Sequence, residues 1–157
     1  MNAAAAQRCV LLVEDNEDDV FLMQRALKFA QLEEVLHIVR DGEEALNYLA
    51  GEGTYADREK FPLPAVVLLD LKLPRRSGFE ILSWTRGVAR MYGLIIVVFT
   101  SSNQPADIAE SYRLGANSYV VKPVNFDRLV EFAKVLKTYW LLHNYSDPRD
   151  PAGLIRA

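Results

Sequence analysis

Polar residues that could do chemistry stand directly after four short apolar stretches of this chain. They are Glu14, Asp15, Asp70, Thr100 and Lys122. An apolar stretch rich in Val and Leu is typical of a strand that is buried on both faces in a parallel sheet. A charged side chain would be costly inside such a strand, but not at its carboxyl end, where open α/β sheets bind ligands. We therefore expect the chemistry of this protein at the strand ends.

Three carboxylates and one lysine at a common edge have a definite chemical use. Clustered carboxylates repel each other and call for a cation, and a set of oxygen ligands suits Mg²⁺, which also favours phosphate oxygens. Lys122 would add a mobile positive charge for a phosphoryl oxygen, and Thr100 a hydroxyl donor. Each residue alone could simply end a strand. Together they predict phosphoryl transfer to a carboxylate, which forms an aspartyl phosphate.

Five apolar segments alternate with five helical patterns and would position these residues. The predicted strands are 9–13, 36–39, 66–70, 94–99 and 118–121. Such alternation implies a parallel sheet with right-handed crossovers. We predict an α/β fold with a five-stranded parallel sheet, doubly wound with helices on both faces.

Local signals mark several boundaries of the predicted helices. Asn16 and Asn125 are N-cap residue types, and the last helix can run to about His143. Residues 51–64 contain two glycines and two prolines, which favour a loop between the second helix and the third strand. We interpret this loop as a tolerated surface insertion.

Length, charge and cysteine content narrow the function classes. The 157 residues are half hydrophobic and a quarter charged, as in an ordinary globular domain. The net charge of −3 argues against nucleic acid or acidic membranes as partners. No apolar run is long enough to cross a bilayer, and the start of the chain lacks the features of a signal peptide. With its single cysteine, the chain is predicted to be cytoplasmic.

Four motifs resemble those of the receiver domain of two-component response regulators. They are LVEDN at 12–16, LDLKLP at 69–74 with Gly78, VFTS at 98–101 and GANSYVVKP at 115–123. The resemblance covers residues 8–143 and implies the flavodoxin-like fold of receiver domains. Residues 1–7 are then predicted to be a disordered N-terminus, and residues 144–157 a C-terminal tail.

The resemblance implies a metal-dependent phosphoryl acceptor. Asp70 would take a phosphoryl group from the phosphohistidine of a sensor histidine kinase, in a reaction that needs Mg²⁺. The implied metal ligands are Glu14, which stands where aspartate is commoner, Asp15, Asp70 and the backbone carbonyl of Lys72. Beyond accepting this group and hydrolysing it from itself, the protein would not be an enzyme.

The resemblance also implies a switch. Lys122 would contact the phosphoryl group, Thr100 would swing towards it, and Tyr119 would turn inward into the vacated space. The peptide bond between Lys122 and Pro123 would be cis. The face formed by the fourth helix, fifth strand and fifth helix would change for partner binding or dimerisation.

The end of the chain suggests an output. Only 14 residues follow His143, so we expect a stand-alone regulator without a DNA-binding domain. Tyr139, Leu141 and Leu142 exceed what the core needs, and they would either form an exposed apolar patch for a homodimer or be covered by the tail. This pattern resembles regulators that pair with phytochrome kinases.

Three other functions are compatible with parts of the pattern. A metal-dependent phosphatase with an aspartyl nucleophile usually has a second acid two residues later, where this chain has Lys72. An FMN carrier would need a Ser/Thr/Gly-rich phosphate loop after the first strand, which is absent from the sequence. A pseudo-receiver that is not phosphorylated is disfavoured because every site residue is present.

Overall fold

The predicted parallel sheet is present in the computed structural model, which describes residues 8–32, 35–88, 91 and 93–144. Its strands are β1 (Val10–Val13), β2 (Leu36–Val39), β3 (Val66–Leu69), β4 (Ile96–Thr100) and β5 (Ser118–Val121). All neighbours pair in parallel, in the order β2-β1-β3-β4-β5. The prediction of a five-stranded parallel sheet is confirmed.

In the described part of the chain, five α-helices connect or follow the strands. They are α1 (Glu17–Phe29), α2 (Gly42–Ala50), α3 (Gly78–Gly87), α4 (Pro105–Arg113) and α5 (Phe126–Val135). Four helices begin at a side chain that accepts a hydrogen bond from a first-turn N–H group, and these N-cap residues are Asn16, Asp41, Ser77 and Asn125. These caps fix where each helix begins relative to the strand before it.

The sheet is covered on both faces by apolar side chains. On one face, side chains of β1 and β3 such as Leu12 and Leu68 pack with α1 and α5. On the other face, Leu11 and Leu69 pack with α2 and α3. Successive side chains of a strand point to opposite faces, so burial on both faces requires the uninterrupted apolar runs seen in the sequence. The carboxyl ends of β1 and β3 are therefore held in place by apolar packing on both faces of the sheet.

Residues 51–64 are attached to α2 by hydrogen bonds and ring contacts, and their interpretation as a surface insertion stays a prediction. A short 3₁₀ helix, Gly53–Ala56, lies within them. The Arg58 guanidinium donates hydrogen bonds of 2.7 Å to the backbone carbonyls of Tyr48 and Leu49, at the end of α2. The rings of Tyr48, Tyr55 and Phe61 contact one another. This segment forms an aromatic cover next to α2.

The last helix reaches His143, as predicted, but its final part, Leu136–His143, is a π-helix. Leu141 is buried, whereas Tyr139 and Leu142 are exposed. The prediction that all three side chains exceed the needs of the core is therefore wrong for Leu141. In a π-helix hydrogen bonds join residues five apart, so Leu141 follows the buried Leu136 by about one turn.

Both predicted ends of the chain fall largely outside the described residues. These are the predicted disordered N-terminus, 1–7, and all of the predicted tail except Asn144. The domain limits of 8–143 stay a prediction. Within the part of the chain that the structure describes, no helix has the length and apolar character needed to cross a membrane.

Candidate phosphoryl-acceptor site

Two neighbouring strands bring the predicted acidic residues together. Glu14 follows β1 and its N–H donates to the carbonyl of Val39 in β2, while the N–H of Asp70 donates to the carbonyl of Val13 at the end of β1. Glu14 is 2% exposed and Asp70 is 8% exposed, whereas Asp15 is open to solvent. The site is thus anchored in the core and open on one side.

The three carboxylates form a set of oxygen donors that fits a divalent metal ion. One oxygen from each of Glu14, Asp15 and Asp70 lies within 4.8 Å of the others. Hard cations such as Mg²⁺ prefer oxygen ligands, and one or two carboxylates with water commonly hold them. The donor set contains no thiolate or imidazole that would favour a softer metal.

Lys122 reaches the same carboxylates from the end of β5. Its ammonium nitrogen lies 2.5 Å from a Glu14 oxygen and 3.0 Å from Asp70 Oδ2. It also lies 3.0 Å from Asp19 Oδ2. An ammonium group has three N–H donors, so these three contacts can occupy all of them. Any further ligand of Lys122 must compete with a carboxylate.

Burial and charge shift the protonation equilibria of this cluster. Burial raises the pKa of Glu14 to about 7, with a smaller contribution from the Asp70 charge, and Lys122 offsets only part of this rise. Burial acts to lower the pKa of Lys122, but the neighbouring carboxylates of Glu14, Asp70 and Asp19 outweigh it and raise that pKa above its ordinary value. Lys122 is therefore held as a cation. The Glu14 carboxyl binds a proton more readily than an exposed glutamate, and a metal ion would compete with that proton.

The loop after β3 holds the Asp70 side chain in a defined orientation. Its Oδ1 accepts a 2.8 Å hydrogen bond from the Leu71 N–H, and Oδ2 accepts one from Lys122. The chain folds back here so closely that a Cβ on Gly78 would lie 2.3 Å from the Asp70 carbonyl oxygen. Only glycine fits that approach.

A second close approach ties this loop to α2. The N–H of Gly42 donates to the Pro74 carbonyl at 3.1 Å. A Cβ on Gly42 would lie 2.1 Å from the carbonyl oxygen of Arg76. The beginning of α2 therefore supports the loop that carries Lys72.

The β4 end of the site joins Lys122 to the loop before α4. Thr100 is buried, and its carbonyl accepts a 2.7 Å hydrogen bond from the Lys122 N–H. Tyr119 donates its hydroxyl proton to the Ser102 carbonyl at 2.8 Å. The Ser102 hydroxyl in turn lies 2.5 Å from Asp107 Oδ2 in α4. Ser102, two residues after Thr100, is thus linked to both β5 and α4.

Comparison with known proteins supplies the family. The family model of the response regulator receiver domain matches residues 10–134. The chain belongs to this family. Response regulator Rcp1 from Synechocystis sp. is 34% identical over 134 residues, which are 85% of this chain and 89% of Rcp1.

Solved structures of receivers superpose on this chain. The phosphorylated cyanobacterial phytochrome response regulator RcpA has a TM-score of 0.81 and 34% identity, and covers 89% of this receiver and 98% of RcpA. The Mn²⁺-bound form of Rcp1 has a TM-score of 0.77 and 33% identity, with coverages of 89% and 99%. The bacteriophytochrome response regulator AtBRR has a TM-score of 0.69 and 42% identity, with coverages of 87% and 97%.

Two predictions about the site need comment. The predicted cis bond between Lys122 and Pro123 is wrong, because the described residues of this receiver contain no cis peptide bond. Trans is the intrinsically favoured isomer, by about 0.5–1 kcal/mol before proline. Lys72 lies two residues beyond Asp70 with its side chain exposed. The role of its backbone carbonyl as a metal ligand stays a prediction.

Sequence reasoning missed one carboxylate that contacts Lys122, that of Asp19. In the sequence it is one of three acidic residues in the first turn of α1, where it suits the positive end of the helix dipole. Its position about one turn after Glu14 and Asp15 could have indicated that it lies near the site, because the first turn of α1 is at the same edge of the sheet.

Proposed function

We propose that this receiver accepts a phosphoryl group on Asp70 from a sensor histidine kinase in a Mg²⁺-dependent reaction. The observation that carries the proposal is the contact of Lys122 with Asp70 Oδ2, next to an oxygen cluster that fits a divalent cation. Phosphoryl transfer needs positive charge around the oxygens of the moving group, and these residues can supply it or hold it.

In the proposed reaction, an Asp70 carboxylate oxygen attacks the phosphorus atom of a phosphohistidine. A P–O bond forms and the P–N bond breaks, and its electron pair returns to the imidazole nitrogen. The Leu71 N–H and the Lys122 ammonium orient the attacking carboxylate. Lys122 then moves its hydrogen bond from Asp70 Oδ2 to a phosphoryl oxygen.

Glu14, Asp15 and Asp70 would hold the magnesium ion, together with the Lys72 backbone carbonyl. The bound ion would neutralise charge on the phosphoryl oxygens. Glu14 would leave its contact with Lys122 for the cation, and this releases a lysine donor for the phosphoryl group. The same carboxylates would therefore serve both states of the site.

We propose that phosphorylation switches the face formed by α4, β5 and α5. A phosphoryl group adds nearly two negative charges and three acceptor oxygens, which attract the Thr100 hydroxyl. Ser102 would move with Thr100, and its contacts with Tyr119 and Asp107 would break or change. Tyr119 would then be free to turn inward, and α4 to shift.

The C-terminal segment supports a proposal of homodimerisation. Val135, Tyr139 and Leu142 are each more than half exposed. Burial of these apolar side chains against a second copy would be favourable. In gel filtration with light scattering, Leu142→Asp should give a monomer where the unmodified protein gives a dimer. Leu22→Asp, at an exposed position of α1, should leave the dimer intact.

The proposed upstream partner is a phytochrome-type histidine kinase in the cytoplasm. Support comes from the similarity to RcpA, a cyanobacterial phytochrome response regulator, and to AtBRR, a bacteriophytochrome response regulator. The net charge of −3 does not favour nucleic acid or an acidic membrane as a partner.

The test is incubation with labelled acetyl phosphate and Mg²⁺. We expect acid-stable and base-labile labelling that needs the metal ion and is absent from Asp70→Asn. Labelling that survives in Asp70→Asn would contradict the proposal. Rapid turnover of many equivalents of a phosphomonoester would favour the aspartyl phosphatase instead.

A further inference from the structure

Asp19 contacts the Lys122 ammonium group but does not belong to the carboxylate cluster that fits a metal ion. Its Oδ2 lies 3.0 Å from the Lys122 nitrogen, the same distance as Asp70 Oδ2. The acidic cluster that fits a metal ion consists of Glu14, Asp15 and Asp70 only, within the described residues. Asp19 is therefore a carboxylate that contacts Lys122 but does not belong to the set that fits a metal ion.

This difference matters when the site is loaded. A metal ion would draw Glu14 away from Lys122, and a phosphoryl group would take over the lysine donor that Asp70 uses. Asp19 would remain as the carboxylate on Lys122. It would share the lysine's positive charge with the phosphoryl group and also repel that group directly, because Asp19 and Asp70 are at most two hydrogen-bond lengths apart.

We propose that Asp19 limits how tightly Lys122 holds a phosphoryl group on Asp70. Asp19 is thus a positioning residue that acts through Lys122 and lowers the stability of the phosphorylated state. The inference rests on the proposed function, since it concerns the group that Asp70 accepts.

The position of Asp19 makes this effect one of charge rather than of folding. Its backbone N–H is hydrogen-bonded to the Asn16 side chain in the first turn of α1, so the residue stays in place without its charge. Its side chain is 39% exposed, so an amide of the same shape can be accommodated. Asp18 lies in the same turn, and its side chain is exposed. Asp18→Asn removes an equal charge from α1 and is the matched control.

The experiment measures the affinity for beryllofluoride, a mimic of the phosphoryl group, at saturating Mg²⁺ by ¹⁹F NMR. Asp19→Asn should bind it about tenfold more tightly than the unmodified protein, because one nearby negative charge is lost. Asp19→Glu keeps the charge and should stay within about threefold of the unmodified protein, and Asp18→Asn within about twofold. The lifetime of the aspartyl phosphate should lengthen in Asp19→Asn alone.

Two distinct failures are possible. If the unmodified protein binds beryllofluoride but Asp19→Asn binds it equally well or more weakly, the inference is wrong and the proposed function stands. An equal gain in Asp18→Asn would also overturn the inference, because the effect would then not pass through Lys122. If the unmodified protein does not bind beryllofluoride at all, the proposed function fails and the inference fails with it.

Discussion

Two basic side chains hold different parts of the fold together, and they differ in what accepts their hydrogen bonds. At the carboxyl ends, Lys122 contacts the carboxylates of Glu14, Asp19 and Asp70. Near the amino ends, Arg58 donates to main-chain carbonyls at the end of α2. Carboxylates carry charge and can exchange a lysine for a metal ion. Carbonyls of a helix end have fixed positions and no charge to exchange.

Hydrogen bonds from a basic side chain can therefore belong to a reactive site or to a fixed structural contact, depending on the acceptor. Lys122 is surrounded by groups whose partners can change when a cation or a phosphoryl group arrives. Arg58 donates to carbonyls in the last turn of α2, where few helical N–H groups remain to pair with them, and this stabilises one arrangement of residues 51–64. Phosphorylation should thus depend on the first anchor, and stability on the second.

The largest expected effect is that of removing Lys122. Lys122→Ala should lower the initial rate of Mg²⁺-dependent phosphorylation by acetyl phosphate on the order of 100-fold, because a charge that stabilises the moving phosphoryl group is lost. Lys134→Ala removes an exposed lysine of α5 and should leave the rate unchanged. If a folded Lys122→Ala protein had the phosphorylation rate of the unmodified protein, the claim that phosphorylation depends on Lys122 would be wrong.

Removing Arg58 should lower the stability of the fold and leave the phosphorylation rate unchanged. Arg58→Ala should lower the free energy of unfolding by about 2–3 kcal/mol, since charged hydrogen bonds to the α2 carbonyls disappear. Urea denaturation measures this loss, and the phosphorylation rate of the folded variant should stay within about twofold of the unmodified protein. Arg58→Lys keeps the charge without the guanidinium fork and should fall between the two proteins in stability. Arg58→Ala with undiminished stability would show that this anchor contributes nothing.

The two anchors should also differ in their response to pH. The pKa of Glu14 rises from 4.5 in the unfolded chain to about 7 in the folded protein, mainly through burial. The metal-free folded state then binds more protons, so stability falls as pH rises through that window, by about 1–3 kcal/mol. The carbonyl acceptors of Arg58 do not titrate and add no such slope.

Denaturation of the metal-free protein across this window measures the effect. The difference between the unmodified protein and Glu14→Gln should shrink or change sign as the pH rises, and saturating Mg²⁺ should remove the loss. A pH profile identical in Glu14→Gln and the unmodified protein would mean that Glu14 does not titrate in this range.

The smallest expected effect concerns the aromatic cover next to α2. The Tyr55 hydroxyl donates a 2.5 Å hydrogen bond to Glu44 Oε1. Tyr55→Phe should lower the free energy of unfolding by about 1 kcal/mol and leave phosphorylation unchanged. Tyr112→Phe, at a half-exposed tyrosine, should cost nothing. Equal costs in both variants would show that the Glu44 contact is not a source of stability.

Much of the fold could be predicted because burial on both faces leaves a simple mark in sequence. Runs such as residues 66–69 are apolar without interruption, and only a covered parallel strand requires that. The meeting of Glu14, Asp70 and Lys122 follows from the same topology, since the carboxyl ends of parallel strands share one edge.

Other features depend on contacts that no local pattern encodes. The burial of Leu141 depends on a change of helical period after Val135. Arg58 reaches α2 across a turn whose path the sequence does not specify. The contact between Asp19 and Lys122 joins residues 103 positions apart, and depends on side-chain direction.

A crystal structure with Mg²⁺ and beryllofluoride tests the central claim most directly. The account predicts that beryllium is bonded to an Asp70 carboxylate oxygen, the metal ion to oxygens of the Glu14, Asp15 and Asp70 cluster, and the Lys122 ammonium to a fluorine atom. A metal ion bound elsewhere, or Lys122 turned away from the fluorines, would contradict it.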